Sequence, residues 1–389
     1  MRDLEVLAAL HKPERAPSDA ARAAARSLLM DEITREGGGR RRALAPGKPP
    51  KAGFLLLLGA VAATSLTALS LVTGFWRDVN PYYKVEPIEY RKGDAAQFLL
   101  AAADGRAKAP SKGDLWYRRS SIGETVVVRS PIRPGVEYTV QVEQDSYLLA
   151  SPKPLSMGDG LRRRNGRTPR VLSTEWYGDE VTVRPASPAD AAKWEADGKP
   201  DAADLGGEPS RSIGPEKGGG PVLDFGVEGA RRLPADPAEL RAALLNYAVK
   251  VGHTRVEDPD EYLYFGASFL LVDVPVADDV RTAAYRLLAS LRGVRAVTAA
   301  DATGRRLQGV AFRTTTYEDG TMDSELLIDP TTGTLVAAQE VVVTPGMCNA
   351  DLRPGDRWRY ELVRQAGWTD RPAESLLPKR PTPEMPDNP

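Results

Sequence analysis

The sequence predicts an α+β domain that lies outside a membrane and follows one transmembrane helix. Three observations lead to this prediction. A single run of 25 residues, 52–76, carries no charged side chain. Segments with the two-residue alternation of β-strands lie on both sides of a group of helical segments. Turn sequences then separate the later strands, and this hairpin order favours an antiparallel sheet packed against helices.

The uncharged run from Ala52 to Trp76 is long enough to cross a bilayer. As a helix it would extend about 38 Å at ~1.5 Å per residue, whereas the hydrocarbon core is about 30 Å thick. A buried core helix of this length would normally have a polar face, and a cleaved signal peptide is not normally preceded by so long a segment. We therefore expect residues 52–76 to form the single membrane span.

The charges on the two sides of this span differ. Residues 1–51 have a net charge of +4, which leaves −5 for the rest of the chain. The positive-inside rule places the N-terminus in the cytoplasm and residues 77–370 outside the cell membrane. The basic residues that flank the span on its N-terminal side, without an acidic residue among them, are Arg40, Arg41, Arg42, Lys48 and Lys51.

The sequence of the cytoplasmic part, residues 1–51, predicts two short helices followed by a flexible basic linker near anionic lipid head groups. Each helix is too short to be stable alone in water, so either it frays or a partner surface covers its apolar side chains. The alternative, which needs no protein partner, is that the helices rest on the inner leaflet of the membrane. The candidate partner contacts are Leu4, Leu7, Leu28, Leu29 and Ile33.

Outside the membrane, the sequence predicts a helix at Gly93 to Asp104 and then six short strands. Residues 185–235 are rich in Pro, Gly and Asp and predict a loop-rich insertion that contains one helix after Ser187. The Pro-rich tail, residues 371–389, is expected to be disordered. The six strands are Leu115 to Ser120, Thr125 to Ser130, Val136 to Gln144, Tyr147 to Ala150, Val171 to Tyr177 and Glu180 to Arg184.

Three helices and five strands complete the predicted domain. Asp236, Asp258 and either Asp278 or Asp279 are the expected helix caps. The strands then follow in hairpin order, with turns such as Asp319-Gly320 between them. The five strands are Val294 to Ala300, Leu307 to Thr316, Met322 to Ile328, Leu335 to Val343 and Trp358 to Ala366.

No catalytic residue, cofactor or metal site is predicted. The chain has no Walker loop, nucleophile elbow or zinc-ligand spacing, and His253 has no Cys or second exported His to help it bind a metal. The acidic residues 257–261 fit helix capping better than cation binding. Cys348 is the only cysteine, so an intramolecular disulfide is excluded. A basic loop either contacts phosphate-rich envelope polymers or is simply solvated: Arg162, Arg163, Arg164, Arg167 and Arg170.

Four segments of the chain have a familiar sequence. They are Ala-Ala-Lys-Trp-Glu-Ala-Asp-Gly-Lys-Pro around Trp194, Val280 to Ala289 with Gly293-Val294, Asp301 to Arg305, and Glu325 to Gly333. In these segments the chain resembles a family of actinobacterial single-pass membrane proteins of unassigned function. Members of this family are often encoded beside extracytoplasmic-function sigma factors, which implies a regulatory role. In outline, the outer domain is also similar to the half-barrel of lipoprotein carriers and of a periplasmic sensor that binds an anti-sigma factor.

Two functional hypotheses follow. The first is a non-enzymatic envelope sensor or sigma-factor regulator, whose outer domain binds an envelope component and whose cytoplasmic helices bind a sigma factor. The alternative is an anchored extracytoplasmic carrier of lipid or another envelope component. An enzyme ranks third because no catalytic constellation is present, and no direct nucleic-acid binding is expected. The cytoplasmic part lacks the His-x-x-x-Cys-x-x-Cys motif of zinc-containing anti-sigma domains.

Overall fold

The computed structural model describes residues 82–108, 110–151, 173–202, 204–205, 226–252 and 255–376. The predicted cytoplasmic segment and membrane span lie outside these residues. Within the described ranges, no helix is long and apolar enough to cross a membrane. The described residues form an α+β domain with an antiparallel sheet of eight strands, which confirms the predicted fold class.

The domain alternates strands and helices in three groups along the chain. A helix and three strands come first, then five helices, then five strands and a short 3-10 helix. The helices are α1 (Asp94–Lys108), α2 (Pro188–Ala196), α3 (Gly226–Ala230), α4 (Pro237–Gly252), α5 (Pro259–Val272) and α6 (Asp278–Leu288). The strands are β1 (Leu115–Arg129), β2 (Glu137–Ala150), β3 (Ser173–Pro185), β4 (Arg295–Ala300), β5 (Arg306–Thr316), β6 (Gly320–Asp329), β7 (Thr334–Pro345) and β8 (Arg357–Thr369).

The first three strands and the last five belong to one sheet with the order β3-β2-β1-β8-β7-β6-β5-β4. The junction is the pairing of β1 with β8, in which Trp116 lies opposite Trp368 and Gly123 opposite Tyr360. This pairing joins residues more than 230 positions apart, which no local sequence pattern reveals.

Three of the strands are longer than the sequence predicts. Each expected pair of short strands between residues 115 and 185 is one continuous strand in the structure. In β1, Ser121 to Glu124, the residues between the two expected strands, remain in the strand because β2 and β8 flank them on both sides. Two neighbouring strands satisfy the backbone groups there, so the weak intrinsic strand preference of Gly123 does not end the element.

The helices cover one face of the sheet, which we call the helix face. Side chains from α1, α4, α5 and α6 form the largest core together with Val310, Phe312, Leu326 and Ile328 of the sheet. The phenol of Tyr264 in α5 donates a hydrogen bond of 2.6 Å to the Ser324 carbonyl of β6. The packing therefore fixes the helical layer to the second half of the sheet.

The helix caps agree with the sequence at two of three positions. The carboxylates of Asp236 and Asp258 accept hydrogen bonds from backbone N–H groups in the first turns of α4 and α5. The third prediction is wrong, because the N-cap of α6 is Ala277, without a side-chain cap. Asp278 instead pairs with Arg106 and accepts a hydrogen bond from Ser111, since a buried guanidinium requires a counter-charge.

The sheet curls over the face opposite the helices. Arg357 of β8 and Gln339 of β7 both donate hydrogen bonds to the carbonyl of Ala300 at the end of β4, at 2.6 and 3.3 Å. Three strands separate β8 from β4 in the sheet, so a flat sheet would keep these groups far apart. Leu327 and Leu362 are buried within the curl.

The predicted tail begins with a 3-10 helix, Ala373–Ser375. Leu376 packs on the same face as the curl, against Leu115, Tyr117, Tyr147 and Leu149. Residues 377–389 lie outside the described part of the chain.

Candidate functional site

Seven polar residues on four adjacent strands form a connected patch on the face opposite the helices. Neighbouring residues in a strand point to opposite faces, and the register of β1, β2, β3 and β8 brings these side chains to one side. We call this patch the cross-strand cluster: Arg119, Ser121, Glu143, Asp145, Arg184, Tyr360 and Arg364.

Glu143 of β2 is the centre of the cluster. Its carboxylate accepts a hydrogen bond of 2.6 Å from Arg184 of β3 and one of 3.2 Å from the Tyr360 hydroxyl of β8. A nitrogen of Arg364 lies 3.9 Å from its other oxygen. Only 13% of the Glu143 side chain is exposed, so the carboxylate holds the two arginines from beneath and orients them.

Asp145 is the second anchor, two residues further along β2. It accepts hydrogen bonds of 2.8 Å from Arg119 and 2.9 Å from Ser121, both of β1. Burial acts to raise the pKa of Asp145, but the bonds from Arg119, Ser121 and Tyr147 outweigh it and hold the pKa below its usual value. Asp145 is therefore ionised at neutral pH.

Arg364 links the group around Glu143 to the group around Asp145. Its Nε donates to Ser121 Oγ at 3.1 Å, and its separation from Glu143 is long for an ion pair. Three guanidinium groups face two carboxylates, so the cluster has a net charge of +1. The side chains of Arg119, Arg184 and Arg364 are 48%, 40% and 43% exposed. Guanidinium groups of this kind bind carboxylates and phosphates in a bidentate manner.

Burial of Tyr360, followed by the nearby charge of Glu143, raises the pKa of its hydroxyl, so this group remains a hydrogen-bond donor at neutral pH. The ring rests on Gly123, where a Cβ atom would come within 2.3 Å of it. Glycine at position 123 thus lets the aromatic ring cross β1 and reach Glu143.

A second polar chain lies in the curl of the sheet. Glu325 of β6 accepts a hydrogen bond of 2.7 Å from Gln339, and Gln339 accepts one of 2.8 Å from Arg357. Burial lowers the pKa of Arg357 and raises that of Glu325. Because these groups are paired and tie β4, β6, β7 and β8 together, they explain how the curl is held rather than how it would bind a ligand.

The helix face carries a separate charged group around Arg118 of β1. This guanidinium pairs with Asp273 and Glu361, bonds to Glu175 at 2.9 Å, and donates to Ser146 at 2.8 Å. Burial acts to lower the pKa of Arg118, but Glu361, Asp273 and Glu175 raise it above the ordinary value. Burial and the neighbouring carboxylates raise the pKa of Asp273 to about 7. These contacts tie the end of α5 to β1, β3 and β8.

The partly exposed guanidiniums of the cross-strand cluster are groups that can bind anions. The cluster consists of guanidiniums, carboxylates and hydroxyls, and the hydroxyls of Ser121 and Tyr360 each donate a hydrogen bond to a carboxylate, that of Asp145 and that of Glu143. Within the part of the chain that the structure describes, no three His, Cys, Asp or Glu side chains come together as a metal site.

Most of the residues that the sequence analysis names as candidates lie outside the cross-strand cluster. Arg40, Arg41, Arg42, Lys48 and Lys51 lie outside the described residues, as do Leu4, Leu7, Leu28, Leu29 and Ile33. The arginine-rich loop between β2 and β3 also lies outside them, so its binding role stays a prediction. Capping is confirmed for Asp258, and Asp260 accepts a bond from the Arg292 backbone. Cys348 is exposed.

The cross-strand cluster was not found from sequence. One signal for it was present, because Glu137, Thr139, Gln141 and Glu143 alternate with apolar residues and predict a polar face on β2. The partners of Glu143 come from strands that are distant in sequence. No family model matches the chain, and no curated protein or solved structure is significantly similar to it.

Proposed function

We propose that the protein is a membrane-anchored, non-enzymatic envelope sensor whose outer domain binds an anionic envelope component through the cross-strand cluster. The cytoplasmic helices then transmit the bound state to a sigma factor. One observation carries the binding part of the proposal: three arginines from three strands present partly exposed guanidiniums over two fixed carboxylates.

The positions of these arginines favour binding over a purely structural role. An exposed salt bridge contributes only about 0–1 kcal/mol to stability, so an arrangement of three such side chains on a solvent-facing patch adds little to the fold. Glu143 and Asp145 restrict the guanidiniums before a ligand arrives, which lowers the entropic cost of binding. The surplus positive charge leaves the patch complementary to phosphate or carboxylate groups.

The alternative is an anchored carrier that holds lipid inside the curl, and the curl supports the half-barrel outline of such a protein. Its interior is filled, however: Leu327, Ala337 and Leu362 are at most 3% exposed and pack together. A cleft of about 340 Å³ lies at the start of α1 and is partly lined by the charged residues Arg91, Lys92 and Arg295. This cleft is small for an acyl chain, so the geometry favours the sensor.

The sigma-factor part of the proposal depends on the sequence and on the family resemblance. The predicted cytoplasmic helices carry apolar side chains that need a partner, and a single span connects them to the outer domain. Binding of an anionic ligand outside would change transcription only if the two parts communicate through that span.

The ligand class is tested with the full chain in lipid nanodiscs. Immobilised chain is exposed to three polymers of similar length: poly(glycerol phosphate), polygalacturonate and neutral dextran. We expect retention of the phosphate polymer, the carboxylate polymer or both, and no retention of dextran. The comparison of the two anionic polymers identifies which group the site prefers. Equal retention of all three polymers, or of none, would contradict the proposal.

A further inference from the structure

The first ten described residues form a strap that is docked on the helical layer. Asn246 of α4 accepts a hydrogen bond of 2.7 Å from the Tyr83 N–H and donates one of 2.8 Å to the Tyr83 carbonyl. Further along, the Arg91 N–H donates to the Ala289 carbonyl after α6. Tyr83 and Ile88 pack against the main core. Residues 82–91, the strap, are thus fixed to the domain at both ends.

The outward side of the strap is apolar at three positions. Tyr82, Val85 and Tyr90 are 61%, 60% and 43% exposed, whereas Tyr83 and Ile88 face the core. Isolated exposed apolar residues are common on protein surfaces. Three of them within nine residues, two of them tyrosines, form a more specific pattern, because tyrosine is enriched where a protein meets the head-group region of a bilayer.

The length of the chain limits how far the strap can lie from the bilayer. Only residues 77–81 separate Tyr82 from the predicted end of the membrane span at Trp76. A fully extended segment of this length reaches at most ~20 Å, at about 3.3–3.6 Å per residue. The head-group region on one side of a bilayer is itself several ångströms deep. A strap that is fixed to the domain therefore keeps the whole domain close to the membrane surface.

We propose that the strap is a membrane-contact surface, with Tyr82, Val85 and Tyr90 in the interfacial region of the outer leaflet. This inference rests on the membrane anchor of the proposed function. It adds that the outer domain is held against the surface of the bilayer. The docked strap connects α4 and α6 to the predicted membrane span through only the five residues 77–81.

The charged residues at the C-terminal end of the strap are also suited to contact with the membrane surface. Arg91 and Lys92 follow Tyr90 directly, and together with Arg295 and Asp94 they line the cleft at the start of α1. These four groups have a net charge of +2, and the exposed Lys84, Glu86 and Glu89 of the strap reduce the net charge of the surface to +1, which still favours anionic over neutral head groups. Arg295 also pairs with Asp323, so Arg91 and Lys92 are the residues expected to face the lipid.

The test uses the full chain in nanodiscs that contain phosphatidylglycerol. Cys348 is replaced by serine, and single nitroxide labels are placed at Tyr82→Cys, Val85→Cys or Ile132→Cys. Ile132 is the matched control because it is 64% exposed, as Tyr82 and Val85 are, but lies in the loop between β1 and β2. The measurement compares collisions of each label with oxygen, which concentrates in lipid, and with a water-soluble nickel chelate.

We expect the ratio of oxygen to nickel collisions to be several-fold higher at positions 82 and 85 than at 132. A ratio at both strap positions equal to that at 132, in a chain that resists carbonate extraction, would overturn this inference and leave the anchor intact. A chain that carbonate extracts from the membrane would overturn the anchor and the inference together.

Discussion

The ring of Tyr360 lies across Gly123 of the neighbouring strand, so close that a Cβ atom at position 123 would stand 2.3 Å from the ring. The two residues face each other in the pairing of β1 with β8, the junction between the N-terminal and C-terminal strands of the sheet. The same contact places the Tyr360 hydroxyl on Glu143. One glycine therefore supports both the junction and the candidate site.

Gly123→Ala should destabilise the domain by about 1–3 kcal/mol, because the ring or the strand must move to accept the methyl group. The change should also weaken binding of anionic polymer, since Tyr360 would no longer support Glu143. Thermal unfolding followed by circular dichroism measures the first effect. Gly266→Ala in α5 is the control, because its Cβ would find only an ordinary contact of 3.7 Å with Leu244. It should leave stability unchanged or raise it. Equal effects of the two substitutions would contradict the role of Gly123.

Asp273 should make the stability of the domain depend on pH. Its pKa in the folded protein is about 7, above the ordinary value of about 3.9 in an unfolded chain. At a pH between these two values, the folded state therefore binds more protons than the unfolded state. The free energy of unfolding falls as the pH rises towards 7, because Asp273 loses its proton when the protein unfolds. The groups that face Asp273 are Arg118, Glu361 and Glu175.

The test compares the wild type with Asp273→Asn in detergent at pH 5 and pH 8. The variant cannot ionise, so its stability relative to the wild type should increase by about 1–2 kcal/mol between these pH values, after allowance for partial exposure of the side chain. The thermal midpoints report this difference. A stability difference that does not change with pH would show that Asp273 is already ionised at pH 5.

The sequence predicts the parts of this fold that depend on local patterns. The caps at Asp236 and Asp258, the helix after Ser187 and the final meander all have short-range signals and are confirmed. The merging of Ser121 to Glu124 into one long strand depends on neighbouring strands on both sides. The predicted cap of α6 is wrong, because the tertiary pairing of Asp278 with Arg106 outweighs capping. The cross-strand cluster was missed for a related reason, since Glu143 and Arg364 meet only through the pairing of strands distant in sequence.

Topology can be tested with fusions to alkaline phosphatase, which is active only outside the cytoplasm. If the basic flank fixes orientation, a fusion after Arg371 should be active and a fusion at Gly38 inactive. Immunoblots of both fusions control for expression. The reverse pattern of activity would refute the predicted topology, and with it the assignment of the described domain to the outer side.

The cytoplasmic partner is tested with the double substitution Leu28→Asp and Leu29→Asp. Burying a leucine contributes about 1.5–3 kcal/mol, so loss of both should weaken a specific sigma-factor complex by well over tenfold. Co-purification and a sigma-dependent reporter measure the effect. Arg22→Gln with Arg26→Gln is a matched control for lipid attachment. If the leucine variant changes lipid association and leaves the reporter unaltered, the anchored-carrier function becomes the better explanation.

Ligand binding by the cross-strand cluster is the central claim, and the affinity of the full chain for anionic polymer tests it most directly. The double variant Arg184→Gln/Arg364→Gln removes two charges from the cluster, and Arg292→Gln/Arg353→Gln removes two from exposed positions elsewhere. In nanodiscs at constant ionic strength, the first variant should bind the retained anionic polymer more than about tenfold more weakly than the wild type, as loss of two direct charge contacts implies. The second variant should bind like the wild type. Equal affinities for all three proteins, or equal losses in both variants, would contradict the account.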